Sequence, residues 1–359
     1  MAELIWLNDR VKLEDVREWI QSSVVNVKDV AGPKEIFRAN DWGITARFRL
    51  FYEQGKEDIV CKIGFLPIFK SSPVIYKLLS ESCPDNVPEL LDWKYDKEQT
   101  WMLFTMFKGE LVRDTKTMDS IVNTAKALAE IQVSVSEEIK TKEFDIPTIG
   151  IEKIPDLYRS ILNDIKDKYI AVWKRESVSL SEQFNLPLEE VKELTDLPLI
   201  ESYLPLIEEW SEGLSYREYP NSIYHIDLHT NNAISQFDGN ILIFDWEEAT
   251  ISHPFFSLEK LLGDARQFDE VGSTRIKSTT GLSYTPSELV IREAYLKEIP
   301  WYTFDERQRD FDIARCLAPI QYIYLSTYFL NQSGWVKEAP SLIAFDMLKT
   351  LKRWKEMPI

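Results

Sequence analysis

The residues best suited to chemistry lie in the segment from His225 to Asn232 and at the end of the apolar run 241–244. The segment reads His-Ile-Asp-Leu-His-Thr-Asn-Asn, so Asp227 stands five residues before Asn232, and the apolar run is followed by Asp245. This order of side chains is typical of phosphoryl transfer, in which one carboxylate handles an acceptor hydroxyl and two further groups hold magnesium on the phosphates. We therefore predict Asp227 as the catalytic base and Asn232 and Asp245 as ligands of Mg²⁺, which prefers carboxylate and amide oxygens.

Each of these three side chains also has a plainer interpretation. A loop Asp often accepts hydrogen bonds from its own backbone, the pair Asn231-Asn232 is prone to turns, and Asp245 can cap the end of a strand. Each alternative is reasonable by itself. The three residues together, at this spacing, favour catalysis for Asp227 and metal binding for the other two.

The first hundred residues predict a small sheet that would position a further candidate, Lys62. Strand patterns occur at 35–39, 45–51, 58–64 and 100–107. A helical pattern at 74–79 follows the third strand, with Ser72 as its expected cap and Pro73 at its first position. Lys62 stands among apolar neighbours in the third strand. If it faces the sheet interior it needs an anionic partner, whereas an outward-facing lysine needs none.

The rest of the chain is mainly helical in pattern. Helices are predicted at 121–132, 158–173 and 201–214, and a mostly helical pattern runs from residue 256 onward. The segment with Asp227 interrupts this region with a loop and a hairpin, whose turn contains Asp238-Gly239. The predicted fold class is therefore α+β, with a small antiparallel sheet followed by a larger, mainly helical part.

This order of elements and motifs resembles the aminoglycoside phosphotransferase and choline kinase-like family of small-molecule kinases. The resemblance depends most on His225, Asp227, Asn232 and the Phe-Asp-Trp-Glu sequence at 244–247. A weaker likeness is the helix that ends in Gln132, where the family often has His. The resemblance implies a two-lobed, protein-kinase-like fold. Residues 1–106 would form a nucleotide-binding lobe, and residues 107–359 a helical lobe with the catalytic loop and the acceptor site.

The same resemblance implies roles for several more residues. The ammonium of Lys62 would contact the α and β phosphates of ATP or GTP, and the backbone of the segment from Thr105 to Phe107 would contact the purine edge. The ring of His225 would hold the loop in place. Independently of the resemblance, His253 precedes Pro254 and is expected to be an exposed turn residue without a role in the site.

Two features depart from the family pattern. The helix that should supply a Glu partner for Lys62 has no acid in 69–76, and Glu81 lies at its far end. Either another acid holds Lys62, or the site is assembled differently, or activity is weak. The segment 39–45, which would cover the phosphates, contains a single glycine.

The acceptor is predicted to be a small-molecule hydroxyl, because Pro254 follows Asp245 by nine residues and leaves little room for a peptide-binding segment. Five acids could meet an amine on a cationic acceptor or could be solvated charges: Glu247, Glu248, Asp264, Asp269 and Glu270. Four aromatic residues could line an acceptor pocket or belong to the core: Trp301, Tyr302, Tyr322 and Tyr328. Aminoglycosides, choline, sugars and other alcohols all stay open.

Composition restricts the partners and the compartment. The net charge of -17 disfavours nucleic acid, whose binding depends on neutralising phosphates with Lys and Arg. No apolar stretch reaches the length that crosses a bilayer, and the first residues do not read as a signal peptide. We therefore expect a cytoplasmic protein with three reduced cysteines. The sequence leaves the oligomeric state open, and it leaves a non-catalytic binding protein on a kinase-like scaffold as the alternative function.

Overall fold

A computed structural model describes residues 10–333 and 339–357, which divide into two compact units. The sheet unit comprises the described residues up to Thr115, together with Phe144–Ile146 and Asn231–Glu248. The helical unit comprises Lys116–Glu143, Pro147–Thr230 and the described residues from Ala249 onward. The chain therefore leaves the helical unit at Thr230 and enters the sheet unit at Asn231, within the segment that carries the candidate residues.

The sheet unit is built on five antiparallel strands. They are β1 (Asp29–Asn40), β2 (Gly43–Phe51), β3 (Lys56–Gly64), β4 (Leu90–Asp96) and β5 (Gln99–Thr105). Their order in the sheet is β1-β2-β3-β5-β4. The sequence analysis did not predict β4, although its charged residues alternate with apolar ones. This strand lies at an edge of the sheet, where Trp93 and Tyr95 are 40% and 44% exposed.

One face of this sheet packs against helix α1 (Leu13–Ser23). The buried cluster on that face includes Ile59, Cys61 and Ile63 of β3. Because side chains alternate along a strand, Lys62 lies on the opposite face.

The remaining elements of the sheet unit lie after β3. Helix α2 (Ser72–Ser82) follows a 3₁₀ turn at Pro67–Ser71. A second, three-stranded sheet contains β6 (Gly109–Leu111), β8 (Ala233–Gln236) and β9 (Ile241–Ile243), and the short helix α3 (Val112–Thr115) follows β6.

The helical unit contains ten α-helices among its described residues. They are α4 (Met118–Thr141), α5 (Ile154–Asp164), α6 (Ile170–Phe184), α7 (Leu188–Lys192), α8 (Leu197–Glu201), α9 (Leu204–Tyr216), α10 (Glu259–Ala265), α11 (Pro286–Glu298), α12 (Phe304–Ser333) and α13 (Ala339–Trp354). Two strand pairs accompany them: β7 (Ser222–Tyr224) with β10 (Thr250–Ser252), and β11 (Ile276–Lys277) with β12 (Ser283–Tyr284). The predicted helix at 201–214 corresponds to α9, which begins at Leu204 with Pro205 in its first turn, whereas Glu201 ends α8.

The predicted fold class is confirmed, since a small antiparallel sheet is combined with a larger, mainly helical part. Residues 231–248 pack within the sheet unit because β8 pairs with β6 and the Ile243 amide donates to the Asn86 carbonyl oxygen at 2.8 Å. The functional boundary at residues 106 and 107 stays a prediction. Within residues 10–333 and 339–357, no helix is both long and apolar enough to span a membrane.

Candidate functional site

Lys62 is buried in the sheet unit and pairs with two acids. Its exposed fraction is 9%, and its ammonium forms ion pairs with the carboxylates of Asp245 and Glu247. Glu247 is itself only 5% exposed. Of the two possibilities for Lys62, the interior one with anionic partners is therefore the one the fold adopts.

The hairpin of β8 and β9 brings Asn232 and Asp245 to the same end of two paired strands. Ala233 stands opposite Ile243, and one step further along the Phe244 amide donates to the Asn232 carbonyl oxygen at 3.0 Å. Asp245 follows directly, with a positive φ of 70°. A side chain other than glycine is uncommon in this conformation, and such strained residues cluster at functional sites.

Helix α2 holds the Asp-Trp-Glu segment through two hydroxyls. Ser72 donates to the Glu247 carbonyl oxygen at 3.2 Å. The Tyr76 hydroxyl donates to Oε1 of Glu247 at 3.3 Å and accepts from the Trp246 amide at 3.2 Å. The expectation that Ser72 caps α2 is wrong, because Ser72 is the first helical residue and its hydroxyl is used by Glu247.

The two carboxylates beside Lys62 titrate differently. Burial, followed by the charge of Asp245, raises the pKa of Glu247 to about 7. Burial also acts to raise the pKa of Asp245, but Lys62 and other groups, including Arg38, outweigh it and hold that pKa well below its usual range. Lys62 and Arg38 therefore do not fully compensate the two buried carboxylates, and this shortage of positive charge favours a protonated Glu247.

This shortage, together with the oxygen donors of Asp245 and Asn232, fits a divalent cation such as Mg²⁺. In the part of the chain that the structure describes, no group of three His, Cys, Asp or Glu side chains forms a ready metal cluster. A metal held here would therefore take its other ligands from water or from a bound phosphate, as Mg²⁺ commonly does.

Thr105 and Phe107 lie in the same unit as Lys62. Thr105 ends β5, where it stands opposite Ile59 of β3 and its amide donates to the Glu89 carbonyl oxygen at 3.2 Å. The ring of Phe107 stacks on Phe244, with ring centres 5.4 Å apart. Phe107 is thus packed against the residue that precedes Asp245.

The segment predicted to cover phosphates is the tight turn between β1 and β2. The Asn40 side-chain oxygen accepts from the amides of Trp42 and Gly43 at 3.0 and 3.2 Å. A Cβ atom at Gly43 would stand 2.4 Å from the Ile63 carbonyl oxygen, so the close approach of β3 requires glycine there.

Asp227 lies in the helical unit, in a loop held by its own histidines. Its amide donates to Nδ1 of His225 at 3.2 Å. Its carboxylate accepts from the Lys260 ammonium at 2.5 Å and lies 3.4 Å from Nε2 of His229. Burial acts to raise the pKa of Asp227, but the hydrogen bond with His229 and the charge of Lys260 outweigh it, so that pKa is lowered and the carboxylate stays ionised at neutral pH.

Neighbouring polar groups fix the backbone of this loop at both ends. The His225 amide donates to the Ser257 hydroxyl at 3.1 Å, and the Gln132 side chain donates to the same hydroxyl at 3.1 Å. At the other end, the amide and hydroxyl of Thr230 both donate to Asp264, at 2.8 and 2.7 Å. Gln132 therefore has a supporting role in the helical unit.

Lys260 is a functional candidate that the sequence reasoning missed. It lies in α10, and its ammonium is 4.7 Å from the centre of the Tyr322 ring as well as 2.5 Å from Asp227. One signal in the sequence was the position of Lys260, which stands between the mainly apolar stretch 254–258 and the pair Leu261-Leu262. Of the four aromatic candidates, Tyr322 is the one associated with Asp227 in this way, whereas Trp301 and Tyr302 pack against Tyr219.

Several of the acids that could meet an amine of the acceptor already have partners inside the protein. Glu247 pairs with Lys62, Asp264 accepts from Thr230, and Asp269 accepts from the Ser287 amide at 2.9 Å. These three carboxylates are therefore engaged in contacts within the protein.

The expectation that His253 is exposed is wrong. It is 3% exposed, and its Nδ1 accepts from the Phe255 amide at 3.3 Å, which caps the 3₁₀ turn Pro254–Phe256. Its ring packs among Tyr219, Phe255 and Phe256, and burial lowers the pKa of His253 to about 3.

The fold is similar to solved structures of small-molecule kinases. An ethanolamine kinase from Plasmodium vivax aligns with a TM-score of 0.53 and 10% identity, over 94% of this chain and 86% of that chain. A choline kinase from Cryptosporidium parvum aligns with a TM-score of 0.53 and 13% identity, over 96% of each chain. A choline kinase from Streptococcus pneumoniae aligns with a TM-score of 0.51 and 12% identity, over 94% of this chain and 99% of that chain.

No protein-family model matches the sequence, and no curated protein matches it. At identities this low, the structural likeness establishes the fold and leaves activity and substrate open. The predicted resemblance to the choline kinase-like family is thus confirmed at the level of the fold.

Proposed function

We propose that this protein is a Mg²⁺-dependent phosphotransferase that moves the terminal phosphate of ATP or GTP to a hydroxyl of a small molecule. The observation that carries the proposal is the buried pairing of Lys62 with Asp245 and Glu247 in a kinase-like fold. A lysine, a metal-binding carboxylate and an ionised loop aspartate are the groups that phosphoryl transfer requires.

Asp227 is the proposed catalytic base. An ionised carboxylate can accept a hydrogen bond from the acceptor hydroxyl and orient its oxygen toward the terminal phosphorus. The lowered pKa of Asp227 keeps it in that form at neutral pH, and the hydrogen bond from its amide to His225 restrains the backbone that carries it.

Asn232 and Asp245 are the proposed Mg²⁺ ligands, and Lys62 is the proposed contact for the donor phosphates. Bound Mg²⁺ would neutralise charge on the phosphates. The backbone from Thr105 to Phe107 would contact the purine, and the stacking of Phe107 on Phe244 would restrain that segment. ATP and GTP are both consistent with contacts made through a backbone.

A small alcohol is the proposed acceptor. Ethanolamine and choline appear in the names of two of the structural neighbours. Both are amino-alcohols, and this class is the first to test. Lys260 already pairs with Asp227, so we do not assign recognition of an acceptor's amine to that carboxylate. Other hydroxylated metabolites and aminoglycosides form the second class.

The test is a thermal-shift screen followed by a transfer assay. Mg²⁺ with ATP or GTP should raise the melting temperature, and a hydroxylated acceptor should then consume the nucleotide. Stabilisation by a small molecule but by no nucleotide would instead favour the non-catalytic binding protein. Transfer to peptides and to no small alcohol would contradict the proposed acceptor class.

A further inference from the structure

Helix α2 lacks the acid that the kinase pattern leads one to expect beside Lys62. Its single acid, Glu81, stands in the last turn, with a side chain that is 61% exposed and 4.0 Å from Lys77. The middle of α2 presents Tyr76 instead, which is 1% exposed.

The acid that does meet Lys62 comes from a different part of the chain. Glu247 lies two residues after Asp245, outside any helix, and is anchored to α2 through Ser72 and Tyr76. The helix therefore still participates, but it supplies hydroxyls that hold an acid delivered by another segment.

We propose that Glu247, held by Tyr76, is the positioning residue that orients Lys62 toward the nucleotide phosphates. Lys62 contacts two carboxylates, and Asp245 is the one proposed to bind the metal. A carboxylate that binds a metal shares its negative charge between the metal and the ammonium, so a second buried acid would hold the lysine more firmly in place. This inference depends on the proposed function, because it assigns the phosphates to Lys62.

The hydroxyl of Tyr76 makes the arrangement specific. It links the carboxylate of Glu247 to the backbone amide of Trp246, and thereby fixes the direction of the side chain relative to its own main chain. A phenylalanine at this position would fill the same space, and it would leave Glu247 with Lys62 but without that restraint.

The experiment measures the dissociation constant of ADP by calorimetry, in excess Mg²⁺ and again in EDTA. The variants are Glu247→Gln, Glu247→Asp, Tyr76→Phe and Lys62→Ala, with the double variant Lys62→Ala/Glu247→Gln. Glu81→Gln is the matched control, since Glu81 is the acid of α2 itself. Far-UV circular dichroism and urea unfolding check that each variant folds.

We expect Glu247→Gln to weaken ADP binding about tenfold to a hundredfold, with or without Mg²⁺, as the loss of a charge-assisted hydrogen bond would. Tyr76→Phe should weaken it about threefold, and Glu81→Gln should leave it unchanged. In the Lys62→Ala background, Glu247→Gln should have no further effect, because Glu247 acts through Lys62. Glu247→Asp should restore part of the affinity.

Two results would overturn the inference alone. Weakening by Glu247→Gln in Mg²⁺ but not in EDTA would make Glu247 a metal ligand, and undiminished weakening in the Lys62→Ala background would mean that it acts elsewhere. If Lys62→Ala itself leaves ADP binding intact, or the wild type binds no nucleotide, the proposed function fails and takes this inference with it.

Discussion

Two lysines hold the candidate carboxylates of this protein, and their surroundings differ. Lys62, in the sheet unit, is buried against two acids, Asp245 and Glu247. Lys260, in the helical unit, has a side chain that is 35% exposed and pairs with one acid, Asp227. In the first cluster two buried carboxylates share the Lys62 ammonium, with Arg38 adding positive charge, and one of them is partly protonated at neutral pH, whereas the second cluster pairs one carboxylate with one ammonium.

The difference separates two chemical tasks. A buried cluster whose second carboxylate is held partly protonated can be stabilised by a further cation, which suits a metal site. A balanced, half-exposed pair keeps its carboxylate ionised without needing a ligand, which suits a base that must be ready before substrate binds. Each of the following predictions tests one side of this comparison.

The largest expected effect is on Asp227. Asp227→Asn should lower the rate of phosphoryl transfer by about a thousandfold, because the amide cannot accept a proton from the acceptor. Binding of nucleotide and the melting temperature should stay close to wild type. Steady-state kinetics with the acceptor found in the screen would measure the rate, and Asp167→Asn, an exposed acid of the same unit, is the control. A variant that retains most of its rate would remove Asp227 from the mechanism.

The next effect concerns the stability of the cluster around Lys62. Lys62→Met should lower the free energy of unfolding by about 3 kcal/mol at neutral pH, because it leaves two buried carboxylates without their cation. Urea denaturation would measure this, with Lys56→Met as the exposed control on the same strand. An unchanged midpoint would mean that the pairing contributes nothing to stability.

Replacing Lys260 should affect the pH dependence of the rate. In Lys260→Met, Asp227 would lose the charge and the hydrogen bond of Lys260 while it stays buried, so the pKa of Asp227 should rise. The acidic limb of the pH–rate profile should move to higher pH by about one to three units, and the rate at neutral pH should change little. Lys260→Arg should keep the wild-type limb. A limb that does not move in Lys260→Met would show that Lys260 does not set the ionisation of Asp227.

The smallest effect is a pH-dependent stability that comes from Glu247. Its pKa is raised from 4.5 to about 7 on folding, so its contribution is fully present below the unfolded pKa and is lost as the pH rises through about 7. Across that interval, the wild type in EDTA should lose about 1–3 kcal/mol relative to Glu247→Gln. Urea unfolding at several pH values would measure the slope, with Glu57→Gln as an exposed control. Equal slopes in wild type and Glu247→Gln would contradict the raised pKa.

The sequence by itself determined the features that depend on local pattern. Strand alternation and the Asp-Gly turn specify the hairpin of β8 and β9, and its register brings Asn232 to the same end as Asp245 across only 13 residues. The same local order was sufficient to predict the α+β class, and the kinase-like fold was what the family resemblance implied. These elements follow from periodicity and turn chemistry, which act over a few neighbouring residues.

The tertiary structure alone decided which charges meet. Lys62 and Asp245 are 183 residues apart, and Lys260 and Asp227 are 33 apart, so no local pattern could pair them. Glu247 replaces an acid missing from α2, and His253 is buried, because of how separate segments pack. Burial and long-range ion pairing depend on the complete fold, and they also set the pKa values of these groups.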